Sequence, residues 1–250
     1  DAVADVRQAA CHGFGRAECH LETAWIVPLL SDAGPAVRRQ AAATLGMQGC
    51  IEAIPQLVSA LDRDTIDRAE EHAIIYALIE MGDPSAIRSA WRTLPSGRAS
   101  VRQWRGMVIA LDQIDDGKLQ WDEVELGLDS EDAASRQVVA NIAKRHPEWI
   151  SPIAAKLSKW LSCDEWNDRS GTIEGLLSDA LQDTQVAAMA GGFLDDQYPP
   201  EVRALILRAM ARSNSVAVHP SWLIPLERQL ASSDEELVGQ AIAAVVALHS

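Results

Sequence analysis

Residues 112–123 carry the spacing closest to a chemical site. With Gly117 at the sixth position of a calcium-binding loop, Asp112 takes the first, Asp116 the fifth, Leu119 the aliphatic eighth and Glu123 the twelfth. A bidentate carboxylate belongs at that last position. The third position is Ile114, which has no oxygen to offer. A loop short of one ligand is a poor calcium site, and the same residues serve as a turn. Asp115, Asp116 and Gly117 close the chain between two helices and supply a cap for the second. Two dipeptides, Cys11-His12 and Cys19-His20, raise zinc as a second chemistry. They lack the spacing of a C-x₂-C or H-x₃₋₅-H pair, and a helical stretch separates them, so small buried thiols and interfacial imidazoles are expected. No catalytic, cofactor or metal residue is assigned.

What these residues do offer is a surface. Asp112–Asp132 holds nine acidic residues against one lysine, the most acidic stretch in the chain, and a basic partner would find it attractive. Eight tryptophans stand against two phenylalanines and two tyrosines. Trp25, Trp91, Trp121, Trp160 and Trp222 fall in or beside the second helix of a repeated hairpin, where an aromatic side chain either anchors a partner or fills a gap between repeats. The candidate interaction surface is therefore Asp112, Asp115, Asp116, Asp122 and Glu123 with Trp91, Trp121 and Trp160.

The elements that must position this surface follow from a repeat. Ser31–Gly49 has a polar turn, Pro35 to open a helix, an apolar stripe at Val37, Ala41 and Leu45, and glycines to close it. With its arginine as a ruler, Arg7, Arg38, Arg68, Arg102, Arg136, Arg169 and Arg203 are separated by 31, 30, 34, 34, 33 and 34 residues, and Leu237-Val238 follows as a weaker eighth match. A period in the thirties without strand-like alternation marks stacked helical hairpins. Each unit has a second amphipathic helix, as in Ile51, Ile54, Leu57, Val58 and Leu61. The run Ala73–Ile79 is apolar on every side and is expected to lie covered between neighbours. An acidic residue often precedes the ruler, as Asp32, Asp62, Asp164 and Asp196 do, and stacking would let it meet an arginine of the next repeat. Cys19 and Cys50 occupy equivalent positions in adjacent repeats, about 8–10 Å apart for stacked helices, too far for a disulfide.

The chain carries a formal charge of −14, with 36 acidic and 22 basic residues. Such an average repels a polyanion, and no basic face that would bind nucleic acid is evident. The longest apolar runs fall short of the ~20 residues that cross a bilayer, so no transmembrane helix is expected. The chain opens at Asp1 and stops inside what reads as the first helix of another unit, the appearance of a segment cut from a longer protein.

The Asp…Val-Arg…Ala-Ala…Leu-Gly pattern resembles the HEAT-repeat family, in its short bacterial form. That implies an all-α fold: a right-handed α-solenoid of HEAT-like or armadillo-type hairpins, about seven repeats and a partial one, forming one domain over 1–250. HEAT-like hydroxylases bind iron through repeated His-Glu pairs; here Glu71-His72 is a single pair in reversed order. Asp67–Glu80, Ala110–Leu119 and Arg145–Trp149 together resemble the helical region of planctomycete-type haem-binding proteins, also labelled membrane-bound dehydrogenase-like. In those exported proteins a β-propeller precedes the repeats and a c-type cytochrome domain follows. The motif C-x-x-C-H is absent from this chain, so the resemblance implies no cofactor here, with c-type haem elsewhere in the parent. It also implies a periplasmic or cell-envelope setting. The expected function is a non-catalytic scaffold, a spacer docking a protein partner or its own flanking domains. The alternative is a HEAT-type enzyme or accessory module, bilin-lyase-like or metal-dependent hydroxylase-like.

Overall fold

A computed structural model of the protein describes residues 3–16, 23–94, 98–213 and 218–248. Every regular element among them is helical, as the period in the thirties predicts. The residues group into two compact units, 1–138 and 139–250.

The first unit is a stack of hairpins: α1 (Ala4–Arg16) with α2 (Thr23–Ile26), α3 (Pro35–Met47) with α4 (Ile54–Ala60), α5 (Arg68–Met81) with α6 (Pro84–Arg92), and α7 (Val101–Gln113) with α8 (Trp121–Leu128). The next helix, α9 (Ala133–Ala143), carries the boundary between the units. Helix starts and stops follow local chemistry. Pro35 sits in the first turn of α3, and Gly49 ends that helix at φ +63°, with the Cys50 N–H returning to the Leu45 carbonyl at 3.1 Å. Asp67 and Asp83 accept from the backbone N–H groups of Glu70 and Ala86, at 2.7 and 2.8 Å, to cap α5 and α6.

First helices stack on first helices, α1 on α3, α3 on α5 and α5 on α7, while α4 packs against α6. Glycine sets the closest approach. A Cβ at Gly46 would stand 2.8 Å from the backbone Cα of Ala77, and one at Gly15 only 2.5 Å from the Met47 methyl. Val37, Ala41, Leu45, Leu57, Leu61, Leu78, Ile87, Met107 and Leu111 form the buried core between the rows. The apolar run in α5 is not covered all round: Tyr76 is 51% exposed. Helix α7 packs with Gly106 toward Leu61 and Ile75, which leaves the Tyr76 side open.

Ion pairs join several of the neighbouring repeats. Arg7 holds Asp32 with two hydrogen bonds of 2.7 and 2.8 Å, as the acidic residue before the ruler predicts. The Arg38 guanidinium reaches past its own turn. It donates to the Asp32 and Ala33 carbonyls and, through Nε and Nη2, to Glu70 of the following repeat at 2.8 and 2.7 Å. Arg136 makes the same two carbonyl bonds, to Ser130 and Glu131. The third ruler departs from the pattern. Arg68 is exposed, and Arg63 enters instead, between Glu70 and the Leu30 carbonyl. Asp196 pairs within its own repeat, with Arg203 at 2.6 Å, and the side chain of Asp164 lies outside the described structure.

The second unit holds α10 (Ile150–Ser162), α11 (Ser170–Ala180), α12 (Thr184–Gly192), α13 (Pro200–Arg212), α14 (Leu223–Leu230) and α15 (Glu235–Leu248). Helices α11, α13 and α15 stack in order, and α10 packs on α12. Glu174 on α11 ties to Arg208 and Arg212 on α13, at 3.2 and 2.6 Å. Trp222 is fully buried, its indole N–H donating to the Ala187 carbonyl at 2.7 Å. Among the described residues no helix is long and apolar enough to cross a membrane. Cys11, Cys50 and Cys163 are thiols; Cys19 and His20 lie outside the described residues.

Candidate protein-docking face

The turn between α7 and α8 does not form a cation cage, because an arginine occupies it. Arg88 on α6 donates to both Glu123 oxygens at 2.6 and 2.8 Å and to the carbonyls of Gly117 and Lys118 at 2.9 and 3.2 Å. Glu123 and the Lys118 carbonyl are the twelfth and seventh positions of the calcium register, so a guanidinium has taken two of its ligands. Burial pushes the Glu123 carboxyl up, but the Arg88 hydrogen bonds and the Gln120 N–H outweigh it and hold the group below the ordinary glutamate range. Asp115, Asp116 and Gly117 do make the tight turn, with the Gly117 N–H on the Ile114 carbonyl at 2.8 Å. The cap on α8 comes from elsewhere: Glu123 accepts from the Gln120 N–H at 2.9 Å. Gln120 adjoins the helix, whereas Asp115 and Asp116 are several residues before it. Asp115 and Asp116 stay exposed, and Asp116 pairs with Lys118 at 2.9 Å.

Three predicted residues converge. Trp91 from α6 and Asp122 and Glu123 from α8 line a shallow hollow of about 280 Å³ with Arg88 and Arg92. The other side of Trp91 opens on a second, apolar cleft of about 400 Å³, walled by Val101 and Trp104 of α7, Leu126 and Gly127 of α8, and Ser135 of α9. Leu126 is 64% exposed and Val101 47%, while Trp104 is pinned by its indole N–H on the Glu123 carbonyl at 2.9 Å. Asp129 and Glu131 stand exposed beside this cleft, next to its lining residue Ser130, and Arg98 is the charged residue of its lining. Asp132 is fixed. It accepts from the Ser135 hydroxyl at 2.7 Å, a bond that lowers its pKa, and pairs with Arg105 at 3.3 Å.

The remaining predicted residues do not join. Asp112 sits half-buried on the last turn of α7, and the Trp121 indole N–H donates to Glu125 at 2.9 Å. Trp160 is a correction. It is fully buried, with Lys156 and Arg169 over its ring, because α10 is covered at that point and the tryptophan fills the gap. Trp104 and Leu126 escaped the sequence reading. The helical spacing of Val101, Trp104, Val108 and Leu111 reads as core, and only the placement of α8 leaves one edge of that stripe open. Among the described residues no group of three or more His, Cys, Asp or Glu side chains could hold a metal ion.

Residues 1–75 and 23–110 match the family model described as HEAT repeats, and with the stacked hairpins this makes the fold a HEAT-like α-solenoid. Two solved structures match along the chain. One is the complex of CpcE and CpcF of phycocyanin lyase from Nostoc sp. PCC7120, at 19% identity and a TM-score of 0.39, covering 99% of this chain and 90% of that one. The other is human deoxyhypusine hydroxylase in complex with glycerol, at 16% identity and a TM-score of 0.36, covering 98% of each chain. No curated protein sequence matches.

Proposed function

We propose that this chain is a non-catalytic scaffold that docks a protein segment on the face built by α6, α7, α8 and the first turn of α9. The observation that carries the reading is the open apolar cleft lined by Trp91, Trp104 and Leu126, with Asp129 and Glu131 exposed beside its lining residue Ser130 and Asp122 on the adjoining hollow that shares Trp91. A large apolar side chain inserted over Trp104 gains from leaving water, and a lysine or arginine beside it meets the acidic edge, the arrangement of a buried anchor within a charged rim. The occupant is therefore a basic, amphipathic segment. Selection of peptides from a randomised display library against the protein tests this: enriched sequences are expected to pair Leu, Phe or Trp with Lys or Arg, and to lose binding to Leu126→Glu. Enrichment of acidic peptides, or equal binding to Leu126→Glu, would overturn it.

The finer reading is that the scaffold is the helical spacer of a larger exported redox or haem-binding protein, with the flanking domains of the same chain among its partners and c-type haem held elsewhere in that parent. The three segments that resemble planctomycete-type haem-binding proteins support it. Translating the coding region on both sides decides it. A β-propeller upstream and a C-x-x-C-H motif downstream are expected, and a start and stop codon bounding the segment would end the reading.

A further inference from the structure

We infer that the hollow beside Trp91 reads a carboxamide, a glutamine or asparagine side chain carried by the docked segment; the inference rests on the docking reading above. Two helices build the hollow. On α6, Trp91 and Arg92 follow Arg88 by three and four residues and so share its side, and α8 brings Asp122 and Glu123 in its first turn. Four charges therefore meet in about 280 Å³. Two of them are spent on each other, because Arg88 holds both Glu123 oxygens at 2.6 and 2.8 Å. The other two are not. Arg92 and Asp122 are exposed, and neither side chain makes a hydrogen bond or ion pair among the described residues. The half-buried Trp91 likewise has no partner among them for its indole N–H. Each free charge suits its own helix end, Arg92 in the last turn of α6 and Asp122 in the first turn of α8, which keeps both in place without the other's help.

The pattern selects by exclusion. A guanidinium or ammonium group entering the hollow would pair with Asp122 but press on Arg92, and a carboxylate would do the reverse. An apolar side chain would strip water from both charges and put no partner in its place. A carboxamide carries a carbonyl acceptor and two N–H donors in one plane. Its oxygen accepts from the Arg92 guanidinium, its amide N–H donates to Asp122, and its flat face lies on the Trp91 ring. Both bonds involve an ionised partner, the stronger kind. The two free charges also act on the same neighbouring pair. The Glu123 hydrogen bond raises the Arg88 pKa against burial, and Asp122 adds to it through space. Burial raises Glu123, and after Arg88 and the Gln120 N–H have brought it down, Arg92 lowers it further. The lysines and arginines of the segment then belong beside Ser130, where Asp129 and Glu131 stand exposed. Trp91 lines both recesses, so the carboxamide and the apolar anchor share one indole.

Fluorescence anisotropy with labelled helical peptides of leucine and arginine tests the inference, each position outside the apolar anchors carrying Gln, Glu, Arg or Leu in turn. At one position Gln is expected to bind about tenfold tighter than Leu, and tighter than Glu or Arg. The charge variants should move that preference in opposite directions, Arg92→Gln toward Arg and Asp122→Asn toward Glu. Both substitutions fall at exposed positions and keep a polar side chain, and circular dichroism checks that the helices are retained. Peptides that bind through Leu126 with no position favouring Gln, or a preference that either variant leaves unchanged, would overturn the inference while the docking reading stands. Failure of every peptide to bind would end both.

Discussion

Glu70 is the carboxylate on which two repeats depend, and removing its charge is expected to destabilise the first unit sharply. The side chain is 1% exposed and accepts from Arg38 Nε at 2.8 Å, Arg38 Nη2 at 2.7 Å and Arg63 Nη1 at 2.5 Å. Breaking a buried pair by removing one partner costs about 3–5 kcal/mol, because the other charge is left unpaired and dry. Arg63 is 24% exposed and recovers water, whereas Arg38 at 9% does not. Glu70→Gln should therefore fall near the lower end, at about 3 kcal/mol. That corresponds to a melting transition lowered by roughly 6–12 °C for a unit of this size. Urea unfolding gives the loss, and amide exchange in α3 and α5 localises it, which matters because cooperativity in a repeat array can break down between units. Glu70→Leu combined with Arg38→Met removes both members and should be less destabilised than Glu70→Gln alone. A cost below about 1 kcal/mol for Glu70→Gln, or additive effects in the cycle, would refute the view that this pair is a dry joint between repeats.

Three further outcomes are expected. Arg7 holds the Asp32 carboxyl at about 2, against about 3.9 unfolded. The stability it contributes is present above the unfolded value and lost as pH falls through the folded one. Denaturation midpoints of the unaltered chain should therefore drop more steeply between pH 4 and 2 than those of Asp32→Asn, and parallel curves would contradict the pairing. Gly46→Ala places a methyl against the Ala77 backbone and should cost about 1–3 kcal/mol, while Gly13→Ala, in open space, should be neutral or slightly stabilising by thermal melting. Arg88→Ala frees the Gly117 and Lys118 carbonyls and Glu123, so amide exchange in residues 114–120 should quicken. Calorimetric titration of the unaltered chain with calcium should show no binding, and a calcium isotherm would contradict the arginine's hold on the loop.

The sequence was most legible where the repeat constrains it. The ruler arginines mark the first helices because stacking reuses one position every thirty-odd residues, and Arg7 with Asp32 appears as their spacing implies. Arg68 misled because the pairing arginine of the third unit, Arg63, lies in the turn before α5, outside the helix whose spacing the ruler follows. The site was half legible. Trp91, Asp122 and Glu123 meet, but Trp160 and Trp121 look alike in sequence, and only the neighbouring repeat decides that Trp160 is covered. Trp104 and Leu126 were hidden by the converse effect, a core-like stripe whose edge lies open once α8 is placed. Glu123 read as a metal ligand because its true partner, Arg88, is 35 residues away in the preceding repeat.

The docking claim is tested most directly by titrating the protein with a short amphipathic helical peptide of leucine and arginine while following the tryptophan indole resonances. Trp91 and Trp104 are expected to shift together and saturate, Trp222 to stay in place, and Leu126→Glu to weaken binding at least tenfold, about 1.4 kcal/mol. Saturable binding that leaves Trp91 and Trp104 unmoved, or that Leu126→Glu does not weaken, would contradict it.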